Sequence, residues 1–163
     1  MKLKLTMKIV HKFFQGVERV YPITINLKNK QVTIVGGGKI AARKVKGLLS
    51  EGAIITIIGP SLHKEIDDAS VTWIKKRYEI GDIQPSSALI FACTDDAALN
   101  ESIKHHVQPS QLVNVVSDKR VSDFYNMSMI RHNGLKIGIS TEGASPLVAK
   151  QTRIDLQKWL ETR

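Results

Sequence analysis

Short, almost wholly apolar runs alternate with polar segments along the first two thirds of the chain. Five of these runs have the length of a strand: residues 31–35, 53–58, 71–75, 88–93 and 112–116. Runs of this kind, rich in β-branched side chains, are typical of strands buried on both faces of a parallel sheet. The pattern therefore predicts an α/β fold built on an open, mostly parallel sheet of five strands.

Two of the segments between these runs have the spacing of a helix with one apolar face. In the first segment the predicted buried positions are Ala41, Val45, Leu48 and Leu49. In the second segment they are Leu99, Ile103 and Val107. Glu51-Gly52 is expected to end the first helix. Thr94, which is followed by two acidic residues, is expected to cap the second.

A glycine-rich turn follows the first predicted strand and opens the first helix. Gly36, Gly37 and Gly38, with Ala41 three residues later, form the pattern Gly-x-Gly-x-x-Ala. Gly36 lets the chain turn, Gly38 lets the backbone approach a phosphate, and Ala41 lets the helix pack on the strand. Such turns also serve simple strand-to-helix corners. Here, however, strand, turn, helix and strand fill about 30 residues, the size of a βαβ unit, which predicts a dinucleotide pyrophosphate site.

The second predicted strand ends at Gly59-Pro60-Ser61. Neither the acid that usually binds the adenosine ribose nor an arginine for a 2′-phosphate stands at this strand end. The preference between NAD and NADP is therefore only weakly encoded. Farther along, Thr94 and Asp95 are either helix caps or neighbours of the cofactor, and the cap is the favoured interpretation.

The pattern changes after residue 116. Residues 117–126 are polar, aromatic and irregular, and residues 135–140 have the composition of a strand. Ser145 as cap and Pro146 as first helical residue predict a last helix, whose start is a second potential anion site. The apolar edge of that helix, which a partner subunit could cover, is formed by Leu156, Trp159 and Leu160.

The formal net charge of +9 favours a polyanionic partner. Residues 1–20 carry five Lys or Arg residues and one acid, a net charge of +4, which leaves +5 for the other 143 residues. The chain has no clustered basic stripe interleaved with aromatic residues, as nucleic-acid binding favours. The charge distribution therefore favours a small anionic ligand and predicts no nucleic-acid partner.

The remaining composition narrows the classes of site further. Cys93 is the only cysteine and follows an apolar run, which predicts a buried structural thiol and a reducing, cytoplasmic location. No apolar run approaches the roughly 20 residues that span a bilayer, so no membrane association is expected. No metal site is predicted, because no histidine pair with a third carboxylate has a recognised ligand spacing. The histidines are His11, His63, His105, His106 and His132.

Five stretches in the same order and spacing resemble the precorrin-2 dehydrogenase family of sirohaem synthesis. They are residues 21–27, 35–45, 92–96, 113–116 and 139–146, and the resemblance covers about residues 21–160. The glycine turn with its Ala-Arg-Lys continuation and the Gly-Ala-Ser-Pro loop are the most specific of these motifs.

The resemblance implies NAD-dependent oxidation of precorrin-2, a tetrapyrrole rich in carboxylates, to sirohydrochlorin. A hydride passes to the nicotinamide and a proton is lost. It also implies a homodimer formed by the segment after the fifth strand, and some members of the family insert Fe²⁺ into the product. The expected fold is thus a Rossmann-like open parallel sheet with a small C-terminal dimerisation segment.

The same resemblance divides the chain into three parts. Residues 21–116 are expected to form the NAD-binding domain, and residues 117–163 the dimerisation segment with a C-terminal helix shorter than in the usual member. Residues 1–20 are an N-terminal extension that is either a native basic segment or a non-native or disordered one, with residues 1–19 preceding a natural start at Val20.

The resemblance also assigns site residues. Expected cofactor contacts are Gly36, Gly37, Gly38, Lys39, Ile40, Pro60, Ser61 and Thr94. Expected substrate contacts are Asn114 and Ser145, and Ser145 occupies the position of the family's phosphorylatable serine.

Two departures concern the chemistry. Ser117 stands where the family commonly has an aspartate, and a serine hydroxyl is not a base near neutral pH. Asp118 is therefore the preferred proton acceptor and Asp123 the alternative. The aromatic-proline pair that usually follows is replaced by Asn126-Met127. These departures leave open a non-catalytic module that binds NAD or a tetrapyrrole, and they do not decide whether the protein chelates iron.

Overall fold

The computed structural model describes residues 20–142 and 144–163. These residues form two compact units. The first is Thr24–Tyr125, and the second contains the described residues up to Ile23 together with those of Asn126–Arg163. The expectations for the N-terminal extension, apart from Val20, and for Gly143 lie outside the described residues.

A five-stranded sheet forms the centre of the first unit. Its strands in chain order are β1 Gln31–Val35, β2 Ile54–Ile58, β3 Thr72–Ile74, β4 Ser87–Ala92 and β5 Leu112–Val115. Their order across the sheet is β3-β2-β1-β4-β5, and every pairing is parallel. Val35 lies opposite Ile58 on one side and Ala92 on the other, so β1, β2 and β4 end at one edge. The predicted Rossmann-like fold is confirmed.

Two helices cover opposite faces of this sheet. Helix α1 (Lys39–Leu49) packs with Val32 and Ile34, whereas α2 (Ala97–His106) packs through Ile103 with Val35. Successive residues of β1 thus enter two different apolar layers, as the alternation of side chains along a strand requires.

The predicted buried face of α1 needs one correction. Ala41, Val45 and Leu48 are buried, but Leu49 is 37% exposed and Ala42 is buried instead. Leu49 is the last residue of the helix, where the chain turns toward Gly52. The buried face of α1 therefore extends from Ala41 to Leu48 and stops before the last residue of the helix.

The predicted cap of α2 is wrong. The helix begins at Ala97, and the carboxylate of Asp96 accepts the backbone N–H of Leu99 at 3.0 Å. The hydroxyl of Thr94 is used differently: it lies 2.7 Å from the side-chain oxygen of Asn100 and accepts the N–H of Asp96 at 3.2 Å. Thr94 therefore shapes the loop before the helix and does not cap it.

The second unit contains a hairpin and a helix. Strands β6 (Ser128–His132) and β7 (Leu135–Ile139) pair antiparallel, and helix α3 covers Pro146–Glu161. Strand β6 is absent from the sequence prediction, although Asn133-Gly134 is a strong hairpin signal. Both residues have positive φ angles, 45° and 80°. The strand predicted over residues 135–140 is β7, which ends one residue earlier, at Ile139.

The start of α3 agrees with its sequence. The Ser145 hydroxyl accepts the N–H of Val148 at 3.3 Å, and Pro146 is the first helical residue. Of the predicted apolar edge, Leu156 and Leu160 are half-buried, whereas Trp159 is 51% exposed. Within the described residues, α3 is the longest helix, and none is both long and apolar enough to cross a membrane.

Candidate functional site

A cleft opens at the carboxyl edge of the parallel sheet. Its volume is about 530 Å³, within the usual range of small-molecule sites. Val35 and Leu99 line it together with four segments, residues 36–38, 58–61, 77–78 and 93–96. In open α/β sheets, ligands bind outside the carboxyl ends of the strands, where the order of the strands reverses. Here β1 lies between β2 and β4, so the cleft occupies that place.

Gly36 makes the first bend of the glycine turn. Its φ angle is 101°, and a Cβ atom there would lie 2.6 Å from the carbonyl oxygen of Cys93. The N–H of Gly36 donates to Ile58, and the N–H of Cys93 donates to Val35. The turn is thus held between the ends of β2 and β4, and only glycine fits its first position.

Gly37 is the contact point for the loop that follows β2. A Cβ atom there would overlap the carbonyl oxygen of Ser61, and the Gly37 carbonyl accepts the N–H of His63 at 2.7 Å. This packing brings Pro60 and Ser61 against the glycine turn. Both line the cleft.

Gly38 faces open space. A Cβ atom there would meet no chain atom within 4 Å, because Gly38 lines the cleft. It is the N-cap of α1 and makes no side-chain cap bond, and the first turn contains no acid. The first intrahelical bond in this turn runs from the N–H of Ala42 to Gly38, so the N–H groups of residues 39–41 remain for an anion. This geometry fits a dinucleotide pyrophosphate.

The structure places most of the predicted cofactor contacts together. Those that line the cleft are Gly36, Gly37, Gly38, Pro60, Ser61 and Thr94. Lys39 and Ile40 are not among the lining residues. They begin α1, and their side chains are exposed, so their backbone N–H groups are what they offer to a ligand.

Asn100 was not predicted and holds the loop at the end of β4. Its side-chain oxygen accepts the N–H of Thr94 at 2.9 Å, and its amide donates to the Thr94 carbonyl at 2.9 Å. Asn100 is almost fully buried, at 1% exposure. The sequence signal for this role was the position of Asn100, a polar residue three positions before Ile103 and thus on the buried side of α2.

Arg77 and Tyr78 also line the cleft and were not predicted. They follow the short strand β3 in a segment without regular periodicity. Tyr78 packs against the apolar layer under α2, and burial raises the pKa of its hydroxyl. Its phenol is therefore neutral at physiological pH.

The predicted catalytic residues are not among those that line this cleft. Ser117 is exposed. The Asp118 carboxylate accepts from the Arg120 backbone N–H at 2.8 Å and from its guanidinium at 3.0 Å. The hydrogen bond with the Arg120 side chain lowers the pKa of Asp118 to about 2. Asp118 is thus an anion throughout the physiological range, and a weak base.

Asp123 and Asn114 fasten the irregular segment to β5. The Asp123 carboxylate accepts the N–H of Val113 at 2.8 Å and pairs with Lys104, while the Asp123 N–H donates to the Val113 carbonyl. The buried amide of Asn114 donates to the carbonyl of Phe124 at 2.8 Å. In the structure these two predicted site residues therefore make structural contacts of the first unit.

Ser145 belongs to the second unit. Its N–H donates to the Thr141 hydroxyl at 3.0 Å, and that hydroxyl donates to the Ser145 carbonyl at 3.1 Å. The loop before α3 is thereby closed on itself, with the Ser145 hydroxyl used as the helix cap.

Cys93 is buried, as predicted, and burial raises the pKa of its thiol to about 12. Lys44 lies nearby with its ammonium 4.9 Å from the centre of the Phe91 ring, and burial lowers its pKa. Across residues 20–142 and 144–163, no three His, Cys, Asp or Glu side chains are grouped so as to hold a metal ion.

A family model described as putative NAD(P)-binding matches residues 23–128. Over 144 residues the chain is 35% identical to the precorrin-2 dehydrogenase of Bacillus subtilis (strain 168). This alignment covers 86% of this chain and 88% of that protein. The chain belongs to the precorrin-2 dehydrogenase family. The predicted family is confirmed.

Other comparisons agree with this membership. The precorrin-2 dehydrogenase of Priestia megaterium is 36% identical over 84% of this chain and 69% of its own. The solved structure of SirC, a precorrin-2 dehydrogenase, superposes with a TM-score of 0.76 at 31% identity, covering 87% of this chain and 74% of that one. The predicted enzyme class, an NAD-dependent oxidoreductase of sirohaem biosynthesis, is confirmed.

Proposed function

We propose that this chain carries out the reaction of its family, the NAD-dependent dehydrogenation of precorrin-2 to sirohydrochlorin, with its cofactor in the cleft described above. The observation that carries the proposal is the glycine turn. Gly36 and Gly37 are required by the fold, whereas Gly38 leaves open space before an uncapped helix start. A chain that needed only a corner here would not need the third glycine.

The cofactor site divides into three parts. Gly36 to Gly38 and the N–H groups that begin α1 hold the pyrophosphate. Pro60 and Ser61, at the end of β2, face the adenosine ribose. Thr94, fixed by Asn100, faces the other half of the dinucleotide. Bound NAD supplies the hydride acceptor.

The proton released in the oxidation goes to Asp118. Its carboxylate is ionised at neutral pH, and the Arg120 guanidinium keeps it so. Asp123 is the alternative acceptor, but its carboxylate already accepts the N–H of Val113 and pairs with Lys104. Ser117 takes the position of the family aspartate without its basicity.

The substrate is a polycarboxylate, and the chain offers it positive charge and hydrogen-bond donors. We assign Asn114 and the loop of Ser145 to its carboxylates. The loop stands at the start of α3, where helix N–H groups favour an anion. The net charge of +9 attracts such a polyanionic substrate. We propose no nucleic-acid partner.

We also propose a homodimer in the cytoplasm, with the NAD-binding domain at residues 21–116 and the dimerisation segment at 117–163. Large apolar side chains of α3 support this assignment. Leu147 is 75% exposed, Val148 54% and Trp159 51%. A second copy covering this face would remove them from water.

The test is anaerobic incubation of the full chain with precorrin-2 and NAD, with sirohydrochlorin formation followed by absorbance. The expected result is turnover that requires NAD and falls in the Asp118→Asn variant. A folded protein that binds NAD yet gives no turnover would contradict the proposal.

A non-catalytic module that binds NAD or the tetrapyrrole is the second candidate. Ser117 in place of an aspartate and the low pKa of Asp118 favour it, because both weaken the available base. A pure binder keeps its affinities in Asp118→Asn and shows no rate in either form. Adding Fe²⁺ and sirohydrochlorin to the same protein tests chelatase activity separately.

A further inference from the structure

The adenosine end of the cleft has no carboxylate at the end of β2. In NAD-specific Rossmann sites an acid there binds the ribose 2′-hydroxyl and repels a 2′-phosphate. Here β2 ends at Ile58, and the segment that follows it into the cleft is Gly59-Pro60-Ser61. The acids that line the cleft, Asp95 and Asp96, follow β4 on the other side of β1.

Arg77 reaches the same end of the cleft from the neighbouring strand. Strand β3 pairs with β2 so that Ile74 lies opposite Ile58. The N–H of Gly59 donates to the Ile74 carbonyl at 3.1 Å, and the indole N–H of Trp73 donates to the Gly59 carbonyl at 2.9 Å. These bonds fix the segments after β2 and β3 side by side. Arg77, three residues after Ile74, lines the cleft together with Ser61.

The charge of Arg77 is not compensated. Its neighbour Lys76 pairs with both nearby acids, Glu79 and Asp82, at 2.9 Å each. Within the described part of the chain, the Arg77 guanidinium makes no hydrogen bond and no ion pair. The loop after β3 therefore presents one unpaired cation to the cleft.

We propose that Arg77, with the Ser61 hydroxyl, binds the 2′-phosphate of NADP, so that the site accepts NADP as well as NAD. This inference rests on the cofactor site of the proposed function. A guanidinium binds a phosphate through two parallel charge-assisted hydrogen bonds, and no carboxylate at the end of β2 opposes it. Arg77 is a determinant of cofactor specificity and has no part in the hydride or proton transfer.

The test is calorimetric titration of the full chain with NAD, NADP, 5′-ADP and 2′,5′-ADP, without tetrapyrrole. In the unsubstituted chain, 2′,5′-ADP is expected to bind more tightly than 5′-ADP. Arg77→Gln is expected to lower the affinity for NADP and 2′,5′-ADP by roughly tenfold or more, while the affinity for NAD changes by less than about twofold. Lys75→Gln is the matched control. It removes the same charge from the same segment, but its ammonium lies over the Trp73 ring.

Two outcomes overturn the inference. One is an unsubstituted chain that binds NAD but binds 2′,5′-ADP no better than 5′-ADP. The other is an Arg77→Gln variant that loses NAD and NADP affinity equally, which indicates a pyrophosphate contact or a folding defect. Turnover of precorrin-2 with NAD alongside either outcome leaves the proposed function standing. Loss of turnover with the expected NADP pattern contradicts only the proposed function.

Discussion

At the scale of single residues, three adjacent glycines are constrained by different neighbours. Gly36 is constrained by its φ angle and by the Cys93 carbonyl, and Gly37 by the Ser61 carbonyl. Gly38 has no neighbour within 4 Å of where its Cβ would lie. Folding therefore accounts for the first two glycines, whereas the proposed cofactor contact accounts for the third.

Gly37→Ala and Gly38→Ala form a matched pair that separates these roles. Gly37→Ala is expected to destabilise the fold by several kcal/mol, because its Cβ overlaps backbone that cannot move freely. Gly38→Ala is expected to keep the unfolding free energy within about 1 kcal/mol and to weaken NAD binding at least tenfold. Urea unfolding and calorimetric titration measure the two effects. Equal loss of stability in both variants would show that Gly38 is also a folding constraint.

The ionisation of Asp118 leads to a prediction about pH. Arg120 lowers the pKa of Asp118 to about 2, so the carboxylate stays charged until the pH falls through that value. Arg120→Gln is expected to raise this pKa toward the usual value near 4. Lys119→Gln is expected to raise it less, because Lys119 acts only through its charge. Carboxyl carbon NMR titration measures both, and a pKa unchanged by Arg120→Gln would contradict the assignment.

At the scale of elements, the irregular segment after β5 behaves as a side-chain-bonded extension of the sheet. Asp123 exchanges hydrogen bonds with both backbone groups of Val113, and the Ser122 hydroxyl accepts the N–H of Val115 at 2.9 Å. These bonds satisfy backbone groups on the outer edge of β5 that would otherwise be unpaired.

Asp123→Ala is expected to lower the free energy of unfolding by about 1–3 kcal/mol, because it leaves the N–H of buried Val113 without an acceptor. Asp123→Asn keeps an acceptor oxygen, so its free energy of unfolding is expected to fall less. Urea unfolding distinguishes the two. If neither variant changes stability while both lose turnover, Asp123 acts as the proton acceptor instead.

At the scale of the whole molecule, the exposed apolar face of α3 determines the expected assembly. Leu147→Glu places a charge on this face at the second residue of the helix, where an acid favours helix formation. Its matched control is Ala98→Glu, which adds the same charge at the second residue of α2.

Sedimentation velocity is expected to show a dimer for the unsubstituted chain and for Ala98→Glu. In Leu147→Glu the dissociation constant is expected to rise roughly tenfold or more, because burying one leucine stabilises an interface by about 1.5–3 kcal/mol. A monomer at all concentrations in the unsubstituted chain would contradict the proposed dimer.

Much of the fold is predictable because its signals are local. Buried strands need continuous apolar runs, and the glycine turn needs particular residues in sequence. Strand β6 was missed even though its signal, Asn133-Gly134, is local too. The site was less predictable. Asn100 acts on Thr94 through a buried side chain, and no periodicity marks such a contact.

The sequence by itself determined the βαβ unit, the glycine turn, the cap of α3 and the resemblance to the family, since each depends on residues close together in the chain. The tertiary structure alone decided that neighbouring backbone constrains Gly36 and Gly37 but not Gly38, and it placed Arg77 in the same cleft as Ser61. Both depend on strand order. Because β3 lies next to β2, a loop that carries no recognisable motif reaches the cleft that the segment after β2 also lines.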